Sequence, residues 1–174
     1  MLKDTIIYGQ RIKQRPIAME DLDIIYINYD KEAAFYMDLF QAGNKEKASD
    51  FIKQSIKELE EQTDLNMLIL DKETEEFLGY LGIYYIGKRE PELGIWIKKG
   101  KQHNGYAIEA VKLAITWLKA NYKFSHIKYP VDRKNIASRK IPEYFNGKIK
   151  KEYLLYSCNG RELDIVEYWI EWES

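Results

Sequence analysis

Residues 92–121 constrain this chain more than any other stretch. A short apolar run, ELGIWIKK, feeds a polar loop, GKQHNGYA, and IEAVKLAITWLKAN follows. From Ala107 onward, Ile108, Val111, Ala114, Ile115 and Leu118 recur at spacings of three and four, which predicts a helix with one apolar face. The start of a helix carries backbone N–H groups with no partner inside the helix, and about half a positive charge. Gly105, placed beside that start, lets an anion come close to those amides. The loop therefore reads as a cradle for phosphate or pyrophosphate; the plainer reading is a chain reversal that needs glycine. It contains neither G-x-x-x-x-G-K-[ST] nor G-x-G-x-x-G, which argues against a P-loop nucleotidase and a Rossmann dinucleotide site.

Around this unit the sequence predicts further strands and helices. Residues 5–13 read as a first strand ending at Arg15-Pro16, and residues 17–23 open a helix with Leu22, Ile25 and Tyr29 on one face. Residues 29–44 are aromatic and weakly patterned. Ser49 is the expected N-cap of a helix turning Phe51, Ile52, Ile56 and Leu59 inward. Residues 65–70 and 75–86 read as a hairpin, and 125–131 as a strand in which Pro130 suits an edge or bulged position. Asn135 should cap a short helix over 136–141, ended or kinked by Pro142. Asn159-Gly160 between residues 150–158 and 162–172 is the strongest hairpin signal, with Val166, Tyr168, Ile170 and Trp172 alternating. Strands before and after a central helix predict a mixed α/β sheet in a single domain over residues 1–174.

Composition narrows the function classes. With 174 residues, 45% hydrophobic and 32% charged, the chain suits one soluble globular domain. Lys and Arg number 27 against 28 Asp and Glu, so no general field favours nucleic acid or an anionic membrane. Cys158 is the only cysteine, which rules out an intrachain disulfide, and with only His103 and His126 no metal site is expected. The N-terminal Met1-Leu2-Lys3-Asp4 lacks the apolar core of a signal peptide, and no apolar run reaches the length of a membrane helix. The expected location is cytoplasmic.

Gln102-His103-Asn104-Gly105-Tyr106-Ala107 fits Q/R-x-x-G-x-G/A, and it follows a strand opening Glu92-Leu93-Gly94-Ile95-Trp96-Ile97. On these residues the chain resembles the GNAT superfamily of acyl-CoA-dependent N-acetyltransferases. Together with Arg11-Ile12, Arg15-Pro16 and Glu20-Asp21-Leu22, it resembles the branch acting on ribosomal-protein N-termini. The resemblance implies a central, mostly antiparallel sheet whose two parallel middle strands splay apart, flanked by helices. It implies acetyl-CoA as cosubstrate and a protein N-terminus or small amine as acceptor, and it leaves room for a homodimer. Backbone groups of Ile95, Trp96 and Ile97 would meet the pantetheine arm and thioester. Amides from Gln102, His103, Asn104, Gly105, Tyr106 and Ala107 would hold the pyrophosphate. His103 stands where relatives often carry glycine.

Asn135-Ile136-Ala137-Ser138 matches the family's N-x-x-S/A, so Asn135 and Ser138 are implied beside the CoA arm. Seven residues after this Asn many relatives place a Tyr that protonates the departing thiolate. Here that position is Pro142, leaving Ser138, or Tyr144, or water, as proton donor. Glu92 aligns with the carboxylate of the branch and is the expected base. Phe35, Tyr36, Tyr84 and Tyr85 are the expected acceptor-site residues, and Phe40 joins them or the core. Glu109, in the first helical turn, is accounted for by the helix dipole. A CoA-binding regulatory module without catalysis is the alternative reading.

Overall fold

The computed structural model describes residues 1–171. Its eight strands form one sheet in the order β1-β2-β3-β4-β5-β6-β8-β7. The strands are β1 Ile7–Tyr8, β2 Ile12–Pro16, β3 Leu65–Asp71, β4 Phe77–Tyr84, β5 Glu92–Ile97, β6 Ile127–Asp132, β7 Lys148–Tyr156 and β8 Glu162–Ile170. Neighbours are antiparallel except β5 and β6, which run parallel and share one register pair, Glu92 with Lys128. Five α-helices flank the sheet: α1 Leu22–Asn28, α2 Lys31–Tyr36, α3 Lys45–Glu61, α4 Tyr106–Asn121 and α5 Ile136–Tyr144.

Each face of the sheet carries its own core. On one side Leu93, Ile95 and Ile97 of β5 meet the periodic stripe of α4, where Ala110, Val111, Ala114 and Leu118 are buried. On the other, Ala33 and Ile52 of α2 and α3, with Tyr29 and Phe40 from the segments joining the first three helices, pack against Leu68, Leu70 and Phe77. Phe40 is thus a core residue, its ring 4.2 Å from Tyr29. The β7–β8 hairpin forms about Asn159-Gly160, with Gly160 at φ +77°. Val166, Tyr168 and Ile170 are buried in it, and Trp172 lies outside the described residues.

Several sequence expectations need correction. The first strand is two, because Gly9 N–H turns back to the Ile12 carbonyl at 2.8 Å. Helix α3 begins at Lys45, where the Asn44 side chain accepts from Lys47 N at 3.0 Å. Ser49 is therefore inside it; the polar first turn gives no apolar periodicity to read. Of its expected inward residues Ile52 is fully buried, while Phe51, Ile56 and Leu59 are half-buried. Helix α5 runs through Pro142, which is buried, and ends two residues later.

Pro130 is neither at an edge nor in a bulge: it pairs with Glu167 inside a central strand. Lys128 N–H points toward β5, donating to the Pro91 carbonyl at 2.8 Å. Backbone groups alternate along a strand, so the nitrogen of Pro130 faces β5 too. Its missing N–H removes the donor for the next rung between β5 and β6, which is where those strands part.

Candidate active site in the cleft between β5 and β6

Where the two parallel strands separate they leave a cleft of about 580 Å³. Residues 94–97 and 129–131 form its walls, the loop and start of α4 close one end, and residues 135–138 of the α5 turn border it. Lys98 N–H bonds to the Leu78 carbonyl of β4 at 2.9 Å. By alternation the N–H and C=O of Ile95 and Ile97 point away from β4, into the cleft. This corrects the expectation for Trp96: its backbone groups face β4. Its side chain stands on the opposite sheet face from Ile95, edge-on to Tyr29 at 5.8 Å.

The loop before α4 borders the cleft through Gln102, His103 and Gly105. Gly100, His103 and Gly105 all take left-handed backbone angles, φ +87°, +64° and +78°. Only glycine enters that region without steric cost, so His103 occupies a conformation better suited to the glycine of many relatives. Side chains take several carbonyls of the loop and of the strand before it. Asn104 Nδ2 donates to the carbonyls of Lys101 and Gln102, and Gln102 Nε2 to that of Ile97 at the end of β5, each at 3.1 Å. Arg11 Nη1 donates to the Asn104 carbonyl at 2.8 Å. Among the described residues, no protein acceptor takes the N–H groups of residues 102–107. Alternating left-handed turns with unpaired amides make an anion-binding concavity, and the N-terminus of α4 adds its dipole.

Arg11 is the site residue that sequence spacing undervalued. Its backbone N–H and its Nε donate to the two carboxylate oxygens of Glu109, both at 2.8 Å, and its guanidinium lies 4.6 Å from the Tyr106 ring. It ties the β1–β2 turn to the first turn of α4 and fixes the loop. Glu109 is therefore more than a dipole partner, and contact with Arg11 outweighs its partial burial to hold its carboxyl below the usual range.

Asn135 caps α5, its Oδ1 accepting from Ser138 N at 3.2 Å. Ser138 lines the cleft, and its hydroxyl lies 2.8 Å from the phenol of Tyr129. Tyr129 is buried, which pushes its phenol upward. It was invisible to motif reasoning, although its place one residue before Pro130 in the parting strand is a usable signal. Tyr144 is not part of the cleft: six helical residues beyond Ser138 it points to solvent, with its ring edge-on to Phe145 at 5.0 Å.

Glu92 stands at the closed end of the splay, on the face that bears Gly94 and Trp96. Burial lifts its carboxyl to about 7, Glu167 and Asp64 adding to the rise and Lys128 opposing it. Tyr84 pairs with Glu92 across β4–β5, and its hydroxyl is 2.8 Å from that of Tyr80, which bonds to Asn66. Tyr85 is exposed, outside the cleft, with Lys128 Nζ 5.4 Å from its ring. Tyr36 lines the cleft, whereas Phe35 is exposed beneath Arg161. Glu92, Tyr84, Tyr85 and Phe35 thus lie beside the cleft rather than along it. No group of three or more metal-ligating side chains, and no helix long and apolar enough to cross a membrane, occurs among the described residues.

Comparison with known proteins agrees with this geometry. A Bacillus licheniformis protein named uncharacterized N-acetyltransferase p20 is 28% identical over 169 residues, 93% of each chain. An acetyltransferase of Salmonella typhimurium, described as modifying the N-terminal serine of 50S ribosomal subunit protein L7/L12, superposes with a TM-score of 0.84 at 15% identity. It covers 97% of this chain and 100% of its own. RimJ of Mycobacterium smegmatis, solved with CoA-disulfide, superposes with a TM-score of 0.79 at 16% identity, covering 96% of this chain and 87% of its own. Residues 11–145 match the acetyltransferase (GNAT) domain, which takes in Arg11, the parted strands, the α4 loop and the α5 turn together; the chain belongs to the GNAT acetyltransferase family.

Proposed function

We propose that this chain transfers an acetyl group from acetyl-CoA to a primary amine by direct attack of the amine on the thioester. The observation that carries the reading is one cleft bearing a row of unpaired loop amides, residues 102–107, at one end and unpaired edge groups of Ile95 along its wall. The loop amides take the pyrophosphate, with Lys99, Lys134 and Lys140 near it in the cleft lining. Ile95 presents its backbone as a strand edge does to an added strand, and its N–H is the donor for the developing oxyanion.

As the amine nitrogen bonds to the carbonyl carbon and the carbon–sulfur bond breaks, one proton leaves nitrogen and one reaches sulfur. Glu92 accepts the first, directly or through a water. A base near 7 suits an α-amine of pKa about 8, which is about 10% neutral at pH 7. Ser138, backed by the Tyr129 phenol, supplies the second in place of the residue that Pro142 cannot be. Ser138→Ala and Tyr129→Phe are each expected to lower kcat about 10- to 100-fold while the KM for acetyl-CoA changes less than about 3-fold. Unchanged kcat in both would assign that proton to water.

The acceptor class we favour is a protein N-terminus, since relatives of this fold are described as acting on ribosomal proteins. The experiment is release of free thiol from acetyl-CoA with peptides, polyamines and aminoglycosides as acceptors. Peptides bearing a free α-amine should support release, and N-terminally blocked peptides should not. Tight CoA binding without release from any acceptor would instead favour a regulatory module, the reading that donor-less Pro142 keeps in view.

A further inference from the structure

Gly94 is the last β5 residue along the cleft before Glu92, and the space above it is already filled. A Cβ on Gly94 would lie 2.8 Å from Cε of Met37 and 3.3 Å from Cε2 of Tyr84. Met37 follows α2 and lines the cleft, whereas Glu92, two residues back on the same face, does not. An amine deprotonated at Glu92 and attacking beside Ile95 has to pass this point.

Met37 is held there from two directions. From below, Tyr29, buried and edge-on to Trp96, donates its phenol proton to the Met37 carbonyl and accepts from Leu39 N at 3.0 Å. From above, the tip of the β7–β8 hairpin grips the same segment across 120 or more residues of sequence. Cys158 donates its backbone N–H and its thiol to the two oxygens of Asp38, at 2.9 and 3.0 Å. Arg161 donates to the Phe35 carbonyl, and its guanidinium carbon lies 3.5 Å from the centroid of the Phe35 ring. The turn itself is rigid, closed by bonds from Ser157 N to the Arg161 carbonyl and from Gly160 N to the Ser157 carbonyl, both 2.8 Å.

We propose that Met37 is the gate that selects acceptors, and that the contacts of Asp38 and Phe35 with the hairpin tip are the clasp that keeps it over Gly94. The gate rests on the acetyl-transfer reading; the clasp does not. Exposed hydrogen bonds and a cation–π contact are individually weak, so the clasp opens without disturbing the Tyr29 anchor or the sheet. A slender primary amine passes a thioether that swings aside, because methionine has three rotatable bonds and adapts its shape. A peptide N-terminus, wider at its first side chain, needs the clasp open.

Two measurements on the full chain test this. In hydrogen exchange with CoA present, Asp38→Ala and Arg161→Ala should each speed exchange at residues 35–39 and 157–161 at least 10-fold, with β3 and β4 unchanged. Wild-type rates in both segments overturn the clasp, whether or not the protein turns over. In thiol release, Met37→Ala should raise kcat/KM for a peptide N-terminus relative to methylamine at least 5-fold; an unchanged ratio overturns the gate. A silent wild type with an active Met37→Ala supports a closed gate. Silence in wild type and all three variants, with CoA bound, overturns both acetyl transfer and the gate, and leaves the clasp to the exchange result.

Discussion

Gly105→Asp should weaken CoA binding at least 100-fold in a calorimetric titration, about 2.7 kcal/mol of binding free energy. Gly105 is the N-cap of α4 at φ +78° and ψ +5°, and a Cβ there would lie 3.3 Å from Arg11 Nη2. The new carboxylate stands among the unpaired loop amides at the end of the cleft and repels a diphosphate. Arg11 Nη2 is the nitrogen beside that Cβ, while Nη1 keeps the Asn104 carbonyl. The loop therefore stays in place, and the repulsion is what lowers affinity. The fold should persist: a non-glycine residue in the left-handed region costs about 1–2 kcal/mol, and a chain of this size loses roughly 2–4 °C of Tm per kcal/mol. Affinity within 3-fold of wild type would refute the role given to the loop.

The second large effect belongs to Glu92→Gln, which should lower kcat about 100-fold or more while CoA affinity stays within about 3-fold. Burial holds the Glu92 carboxyl at about 7, and only the ionised form removes a proton. Wild-type kcat/KM should therefore rise through an inflection near pH 7. The variant should lose that inflection and keep only the later rise set by the amine itself. A variant profile that matches wild type assigns the proton to another group.

Stability gives an independent reading of the same carboxyl. Its pKa is raised by folding from an unfolded value of about 4.3. Below that value both states hold the proton and burial carries no penalty. Between that value and about 7 the unfolded state ionises while the folded state keeps its proton, so stability falls; above 7 both are ionised and the full cost of the buried charge remains. With some solvent contact retained, the loss is on the order of 2–3 kcal/mol at pH 8. Glu92→Gln cannot ionise, so its Tm should exceed that of wild type by roughly 5–10 °C at pH 8 and match it near pH 4. Equal Tm values at pH 8 would mean that Glu92 is not buried in the way described.

Local signals were strong where one element carries its own reason to form. The stripe of α4, the Asn159-Gly160 turn and the Asn135 cap all depend on residues within a few positions of one another, and all form as the sequence predicts. The polar start of α3 and the break at Gly9 carried no periodic pattern, and both were misplaced. The loop's glycine and its position before α4 marked a candidate anion site. That Asn104 and Arg11 would take its carbonyls could not be seen, because Arg11 is 93 residues from the carbonyl that it holds.

The sequence by itself determined the strand–loop–helix unit and the side-chain types available for chemistry, which follow from residues near one another along the chain, and its motifs carried the resemblance to the family. Tertiary structure decided which of those side chains share one space. It brought Tyr129 to Ser138, buried Glu92 enough to raise its carboxyl to about 7, turned Tyr144 and Tyr85 to solvent, and laid Met37 over Gly94. Burial, charge and contact between distant strands set those outcomes, and they exist only after the sheet has closed around the parting of β5 and β6.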